Sequence, residues 1–368
     1  MANSSTIRIG VIGTGMMGCE HIRNIAALDG AEVTAFSDPH QQSHQWARDN
    51  IAHGSSGRTG PEPLAYSDHR DLLTSGAVDA VIVASPNVTH ADILRDVLET
   101  DLPCLVEKPM CTTVEDCLDV VEAAESRSAL TWVGLEYRYM APIAKLGQIA
   151  GSGDIGDVKM IAIREHRFPF LKKVGDWNRF NKNTGGTLVE KCCHFFDLMN
   201  LLSGADPVRV YASGGQDVNH LDEVYGGEKP DILDNAFVIV DYDNGIRASL
   251  DLCMFAEASR NEQEISVVGT LGKAETALPG DGHVHVGRRQ DRSLNSVPAP
   301  IDESVNHVGF HFGASFVEVS KFCDAIRTGS PPDVDVRDGL QSVLLGVAAH
   351  RSIDEGRPVA ISELMPPL

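Results

Sequence analysis

Thr6-Ile-Arg-Ile-Gly-Val-Ile-Gly13-Thr-Gly15-Met-Met-Gly18 is the stretch that decides the fold. An apolar, β-rich run leads into three glycines spaced Gly-x-Gly-x-x-Gly, and a helical pattern opens behind them. Gly13 permits a tight turn, Gly15 lets a pyrophosphate approach the backbone, and Gly18 lets helix and strand pack closely. With Thr14, Met16 and Met17, they place phosphates at the positive N-terminal end of the helix. Asp38 ends the next β-rich run, where an acid accepts hydrogen bonds from both hydroxyls of an adenosine ribose. It repels a 2′-phosphate, and Pro39-His40-Gln41-Gln42 offers no Arg to hold one, so NAD is expected rather than NADP. A glycine turn without nucleotide and an Asp in a plain turn are the alternatives.

Working outward, short apolar runs alternate with helical segments through residue 137, the signature of βαβ units and a parallel sheet. Strands are expected at Thr6–Gly13, Glu32–Asp38, Ala77–Ala84, Leu102–Glu107 and Leu130–Leu135. Helices are expected at Met17–Leu28, Gln41–Ile51, Ala91–Glu99 and Thr113–Ser126, with a Gly-, Ser- and Pro-rich loop at His53–Pro63. After Tyr137 longer strands follow, joined by tight turns: Val158–Phe168, Val208–Gly214, Asn235–Tyr242, Ile246–Phe255, Glu264–Gly269 and His283–Arg288. Asp243-Asn244-Gly245 is a hairpin signal. Two late helices, about Ala314–Thr328 and Arg337–Glu355, close the chain. The expected fold is α/β: a doubly wound Rossmann domain over 1–137, then an α/β domain over 138–368 with a large, mostly antiparallel sheet.

With 42% hydrophobic and 23% charged residues, the chain has an ordinary globular composition. The start, Met-Ala-Asn-Ser-Ser-Thr, has neither basic nor apolar leader character, so a cytoplasmic enzyme is expected. A net charge of −21 disfavours nucleic acid and anionic membranes as partners. The eight cysteines form no CxxC pair and read as buried thiols.

Four groups carry candidate chemistry. Ser85-Pro86-Asn87 and His90 follow Ala77–Ala84 at the carboxyl edge, where ligands sit in parallel sheets. Glu107-Lys108-Pro109 ends another strand, and Lys108 there can hydrogen-bond a hydroxyl being oxidised and stabilise the charge that develops. A Lys that neutralises Glu107 is the alternative, and spacing alone does not separate the two. Glu190, His194 and Asp197 lie within a 60° arc at 100° per residue, on what reads as one buried helix. His194 is the best general base because imidazole titrates near neutrality; Asp197 can orient it, and Glu190 can bind a sugar hydroxyl. Zinc at Cys192-Cys193-His194 is not expected, because adjacent cysteines on a helix diverge. Finally, Arg164, His166, Arg167, Lys172, Lys173, Arg179 and Lys182 form a basic stretch on an acidic chain. Such side chains beside a sugar pocket bind a carboxylate, phosphate or sulfonate; a solvated loop is the alternative, favoured for Lys172-Lys173.

In their order along the chain these motifs, together with Tyr137-Arg138-Tyr139 and Gly185-Gly186 through Asp197, resemble the Gfo/Idh/MocA group of NAD(P)-dependent sugar and inositol oxidoreductases. The resemblance implies a Rossmann domain followed by an α/β domain whose open sheet forms oligomer contacts, so a dimer or tetramer is expected. It implies Lys108 and His194 as the catalytic pair and the acid four residues before the histidine as a substrate ligand. Most relatives carry Asp there; this chain has Glu190, followed by Lys191. Arg164-Glu-His-Arg167 and Trp177-Asn178-Arg179, with Tyr137, then line an anionic pyranoside pocket.

Two reactions use the same first step. In one, His194 takes the hydroxyl proton, C–H hydride passes to NAD, and a ketosugar leaves. In the other, a ketone at carbon 3 acidifies the hydrogen at carbon 2, the aglycone is eliminated, water adds, and the hydride returns. That is redox-neutral glycoside hydrolysis, known in the family for a branch releasing sulfoquinovose, and it needs no glycosidase carboxylate pair. A third reading is a sensor that binds NAD without turnover.

Overall fold

The computed structural model describes residues 6–54 and 61–365. Met1–Ser5 and residues 55–60 of the expected 53–63 loop lie outside the described residues. Two compact units account for the chain: Met1–Tyr139 with Glu303–Leu340, and Met140–Asp302 with Gln341–Leu368. Where the sequence reading draws one boundary at residue 137, the compact units also divide after 302 and 340.

The first unit holds strands β1 (Ile7–Ile12), β2 (Ala31–Ser37), β3 (Leu64–Tyr66), β4 (Ala80–Val83), β5 (Cys104–Glu107) and β6 (Thr131–Gly134). They lie in the order β3-β2-β1-β4-β5-β6, each pair parallel. Every residue of β4, β5 and β6 is buried, which is why they read as unbroken apolar runs. Its helices are α1 (Met16–Ala26), α2 (Gln41–Gly54), α3 (His69–Thr74), α4 (His90–Leu98) and α5 (Val114–Glu125). The strand order reverses between β1 and β4, the point at which open α/β sheets form their ligand crevice. The returning segment completes this unit: Val334 O accepts from Val133 N of edge strand β6 at 3.2 Å.

The second unit is built on helices α6 (Ala141–Gly151), α7 (Asn181–Thr184), α8 (Thr187–Glu190) and α9 (Cys193–Ser203) and the strands β7 (Val158–His166), β8 (Pro207–Gly215), β9 (Asn235–Tyr242), β10 (Arg247–Cys253), β11 (Gln263–Gly269), β12 (Gly272–Leu278), β13 (His283–Arg288), β14 (Leu294–Pro298) and β15 (Val359–Ala360). Helix α10 (Ala314–Thr328) belongs to the first unit, and the division at Leu340 falls inside α11 (Val336–Glu355). The nine strands run β14-β13-β12-β11-β7-β10-β9-β8-β15, antiparallel except for β7 with β10. Strict alternation covers one face and leaves the other open. Ala236, Val238, Val240 and Tyr242 of β9 are buried, while Phe237 and Ile239 between them are exposed. Among the described residues no helix is long and apolar enough to cross a membrane.

Candidate active site

In the first unit the glycine turn is fixed by contacts that leave room only for hydrogen at two of its three positions. Gly13 has φ +86°, and a Cβ there would lie 2.6 Å from the Ser85 backbone. A Cβ on Gly18 would lie 2.0 Å from the Gly13 carbonyl oxygen. Gly15 differs: nothing stands within 4 Å of its ideal Cβ. It caps α1 with no side-chain hydrogen bond, and the first turn carries no acid, so the amides and positive dipole end of α1 face that open space. These features fit a dinucleotide pyrophosphate. Asp38, buried at the end of β2, accepts from Thr14 N (2.9 Å) and His40 N (2.9 Å). Its carboxylate therefore braces the turn, and Oδ1, which accepts only from His40 N among the described residues, keeps a lone pair for a ribose hydroxyl.

The loops after β4 and β5 are tied to each other by a histidine. His90 is fully buried, with Nδ1 2.8 Å from Pro109 O and Nε2 3.0 Å from Ser85 O. Burial pushes its pKa below the ordinary value, while the two carbonyls act against that. Thr89 Oγ1 bonds the Ser85 hydroxyl at 2.8 Å, and Asn87 is buried. His90 thus holds the Ser85-Pro86-Asn87 loop against the Lys108-Pro109 segment. Tyr137, also in this unit, is buried with its ring 5.9 Å from that of His311.

In the second unit the structure corrects the single helix expected to carry Glu190, His194 and Asp197. Helix α8 ends at Glu190, Lys191 and Cys192 form a turn, and α9 begins at Cys193. The 60° arc therefore does not describe Glu190 relative to His194 and Asp197, although all three are buried. Gly185 and Gly186, with φ of 78° and 90°, separate α7 from α8. A Cβ on Gly186 would meet His350 Nε2 at 2.2 Å, because that nitrogen accepts from Leu188 N at 3.1 Å. His350 thereby satisfies an amide in the first turn of α8 from outside the helix. Burial pushes its pKa down to about 4, with Asp354 and Asp231 acting the other way. On α9, Asp197 lies near enough to Tyr242 for its charge, after burial, to help raise the phenol's pKa.

The basic stretch does not gather into one pocket. Period-two alternation along β7 turns Ile161, Ile163 and Glu165 to the covered face and Arg164 and His166 to the open one. Arg164 pairs there with Glu264 (2.6 Å) and His166 with Asp251 (3.0 Å), its cross-strand neighbourhood. Arg179 is buried and bound to Glu223 (3.0 Å) and Phe170 O (3.3 Å), and Lys172 is exposed. Trp177 is half-buried, and its carbonyl accepts from Asn183 Nδ2 at 2.9 Å.

What does converge is a triad that the sequence reading missed. Glu165, wholly buried, receives Lys191 Nζ at 3.0 Å and an Arg167 guanidinium nitrogen at 3.3 Å. Arg167 also lies over the Phe168 ring at 4.2 Å, and its buried Nε has no partner among the described residues. Burial pulls the Lys191 pKa below the usual ammonium value; Glu165 opposes this and Arg167 reinforces it. Alternation was the available signal, since it places Glu165 opposite Arg164 and His166.

With both halves described, the comparisons with known proteins identify the chain. A model of the oxidoreductase family's NAD-binding Rossmann fold matches residues 7–135, and one of its C-terminal alpha/beta domain matches 148–361. The chain belongs to the Gfo/Idh/MocA oxidoreductase family. Similar proteins include the inositol 2-dehydrogenase of Gluconacetobacter diazotrophicus, 27% identical over 98% of both chains. The myo-inositol 2-dehydrogenase of Thermotoga maritima is 26% identical over 98% of this chain and 100% of its own. In fold the chain matches levoglucosan dehydrogenase, solved with NADH and L-sorbose, at a TM-score of 0.84 and 20% identity over 99% of this chain and 100% of that one. The first unit is an NAD-binding domain, and the protein is an NAD-dependent oxidoreductase of this family.

Two predictions follow from these geometries. Gly15→Val should keep the wild-type melting temperature, since its side chain enters open space, yet weaken NAD binding in calorimetry by about 100-fold or more, whereas Gly18→Ala should lose the fold itself. A destabilised but NAD-competent Gly15→Val would contradict this. His350 binds a proton more weakly folded than unfolded, so the stability it contributes is complete above pH 6.5 and drains away as pH falls toward about 4. Denaturant titrations should register a loss of up to about 3 kcal/mol across that window, and His350→Gln should flatten it.

Proposed function

We propose that the protein is an NAD-dependent dehydrogenase of a sugar or polyol, acting on a pyranoside that carries a negatively charged group. Membership in the family and the inositol dehydrogenases among its relatives support the sugar or polyol class. The observation that carries the anionic preference is Arg167: stacked on Phe168, sharing Glu165 with Lys191, and holding a buried Nε–H with no partner among the described residues. Two cations on one carboxylate, plus an unused directional donor, suit an incoming carboxylate, phosphate or sulfonate.

In this reading NAD, when bound, supplies the acceptor for the hydride of a ring carbinol, which we place at carbon 3. His194 takes the proton of that hydroxyl onto its imidazole as the C–H bond breaks. The Lys108 ammonium donates to the same oxygen and stabilises the charge that grows on it. Glu190 accepts from a neighbouring hydroxyl and sets the ring, and Arg167 with Lys191 holds the anionic substituent. Tyr137, Trp177, Lys172, Arg164, His166 and Arg179 are left out of the contact set, the last three because each is committed to an acid of its own.

The test is a panel of myo-inositol, neutral glucosides, glucuronides and sulfonated glucosides, with NADH and released aglycone followed together. The dehydrogenase reading expects NADH with an intact glycosidic bond, and Arg167→Ala should lower kcat/KM for the charged substrates by about 10- to 100-fold while sparing neutral ones. Aglycone release without NADH would assign redox-neutral hydrolysis of the sulfoquinovosidase type instead. Equal relative efficiencies in wild type and Arg167→Ala would remove the anion preference.

A further inference from the structure

The loop that presents Lys108 is anchored by a pair no motif reading singled out. His21 Nε2 lies 2.7 Å from Glu107 Oε1, with the two side chains 0% and 5% exposed. The other carboxylate oxygen, Oε2, accepts the Lys108 backbone N–H at 3.2 Å. His21 stands on α1, the helix whose N-terminal turn at Gly15 faces the phosphate space. One carboxylate therefore joins the nucleotide-binding helix to the backbone of the lysine.

We propose that His21 and Glu107 are positioning residues for Lys108, fixing its backbone to the helix that receives the NAD phosphates. The inference rests on the reading of Lys108 as catalytic. A buried ion pair is a poor device for stability alone, since apolar residues of similar volume serve as well or better. Here the pair leaves His21 Nδ1 buried with no partner among the described residues, a further cost with no packing gain. What it does provide is direction. A carboxylate with both oxygens engaged has its plane set, and through it the Lys108 amide.

The pair also sets charge. Burial pushes the Glu107 pKa up, but the His21 hydrogen bond and the charges of His21, Lys108 and His311 outweigh it and hold the carboxyl below its usual range. The groups that face Glu107 are His21 from α1, Lys108 beside it, His90 from α4, which feels the Glu107 charge, and His311 from the returning segment, itself 3.3 Å from Glu136. An ionised Glu107 favours the ammonium form of Lys108, the form that donates to a developing oxyanion.

Competitive labelling of the full-length protein with acetic anhydride, read on the Lys108 peptide by mass spectrometry across pH and with or without NAD, tests the proposal. In Glu107→Gln the midpoint of Lys108 reactivity should fall by about one pH unit, the scale of one lost neighbouring charge. In His21→Leu the response of Lys108 to NAD should disappear, and His21→Gln, which keeps a donor for Glu107, should restore it. Should His21→Leu fail to fold, Glu107→Gln and His21→Gln carry the comparison, with kcat expected to fall about tenfold in Glu107→Gln at little-changed KM for NAD and to stay near wild type in His21→Gln. Unchanged midpoints and NAD responses in folded variants overturn the positioning role. Full turnover by Lys108→Ala overturns instead the catalytic reading on which it rests.

Discussion

The close approach of backbone to backbone at Gly13 is the constraint on which the nucleotide half depends. With φ at +86° and the Ser85 backbone 2.6 Å from where a Cβ would stand, that residue fixes where β1 stops and how near the β4 loop comes. Gly18 presses α1 onto the Gly13 carbonyl, and Asp38 holds the intervening Thr14 amide. From there contacts run outward through two histidines. Ser85 O meets His90, which meets Pro109 O; α1 carries His21, which meets Glu107 beside Lys108. Cofactor turn and candidate lysine are thus parts of one bonded framework.

The second unit applies the same economy to a different end. Gly186 and Gly346 remove side chains so that α11 can approach α8, where His350 accepts the Leu188 amide and a Cβ on Gly346 would lie 2.6 Å from Leu188 O. That support fixes the short helix ending in Glu190, and the turn that follows delivers Lys191 to Glu165. Burial of one carboxylate between two cations carries a desolvation cost that only pairing offsets.

Much of this was legible in the sequence, and the failures have physical causes. The β1 run and the three glycines carried the Rossmann assignment because each local requirement agreed with the next, and β9 and β13 were found at their true ends because turns flank alternating runs. β3 and α3 escaped because three and six residues are too few to show a period. The break at Lys191-Cys192 left no breaker residue to read, so the run from Val189 to Leu202 looked like one helix. The basic stretch misled because charge was counted along the chain rather than by strand face: Arg164 and His166 alternate away from Glu165. His350 and His21 lie far in sequence from the groups they hold, 162 and 86 residues away, and no local pattern announces such partners.

The central claim is that His194 removes the hydroxyl proton during NAD-dependent oxidation of a carbinol. Turnover of the best panel substrate by His194→Ala, measured beside its NAD affinity, tests it most directly. The account predicts a fall in kcat of about 1,000-fold with NAD binding intact, the scale of a lost general base. Undiminished turnover in His194→Ala would contradict it.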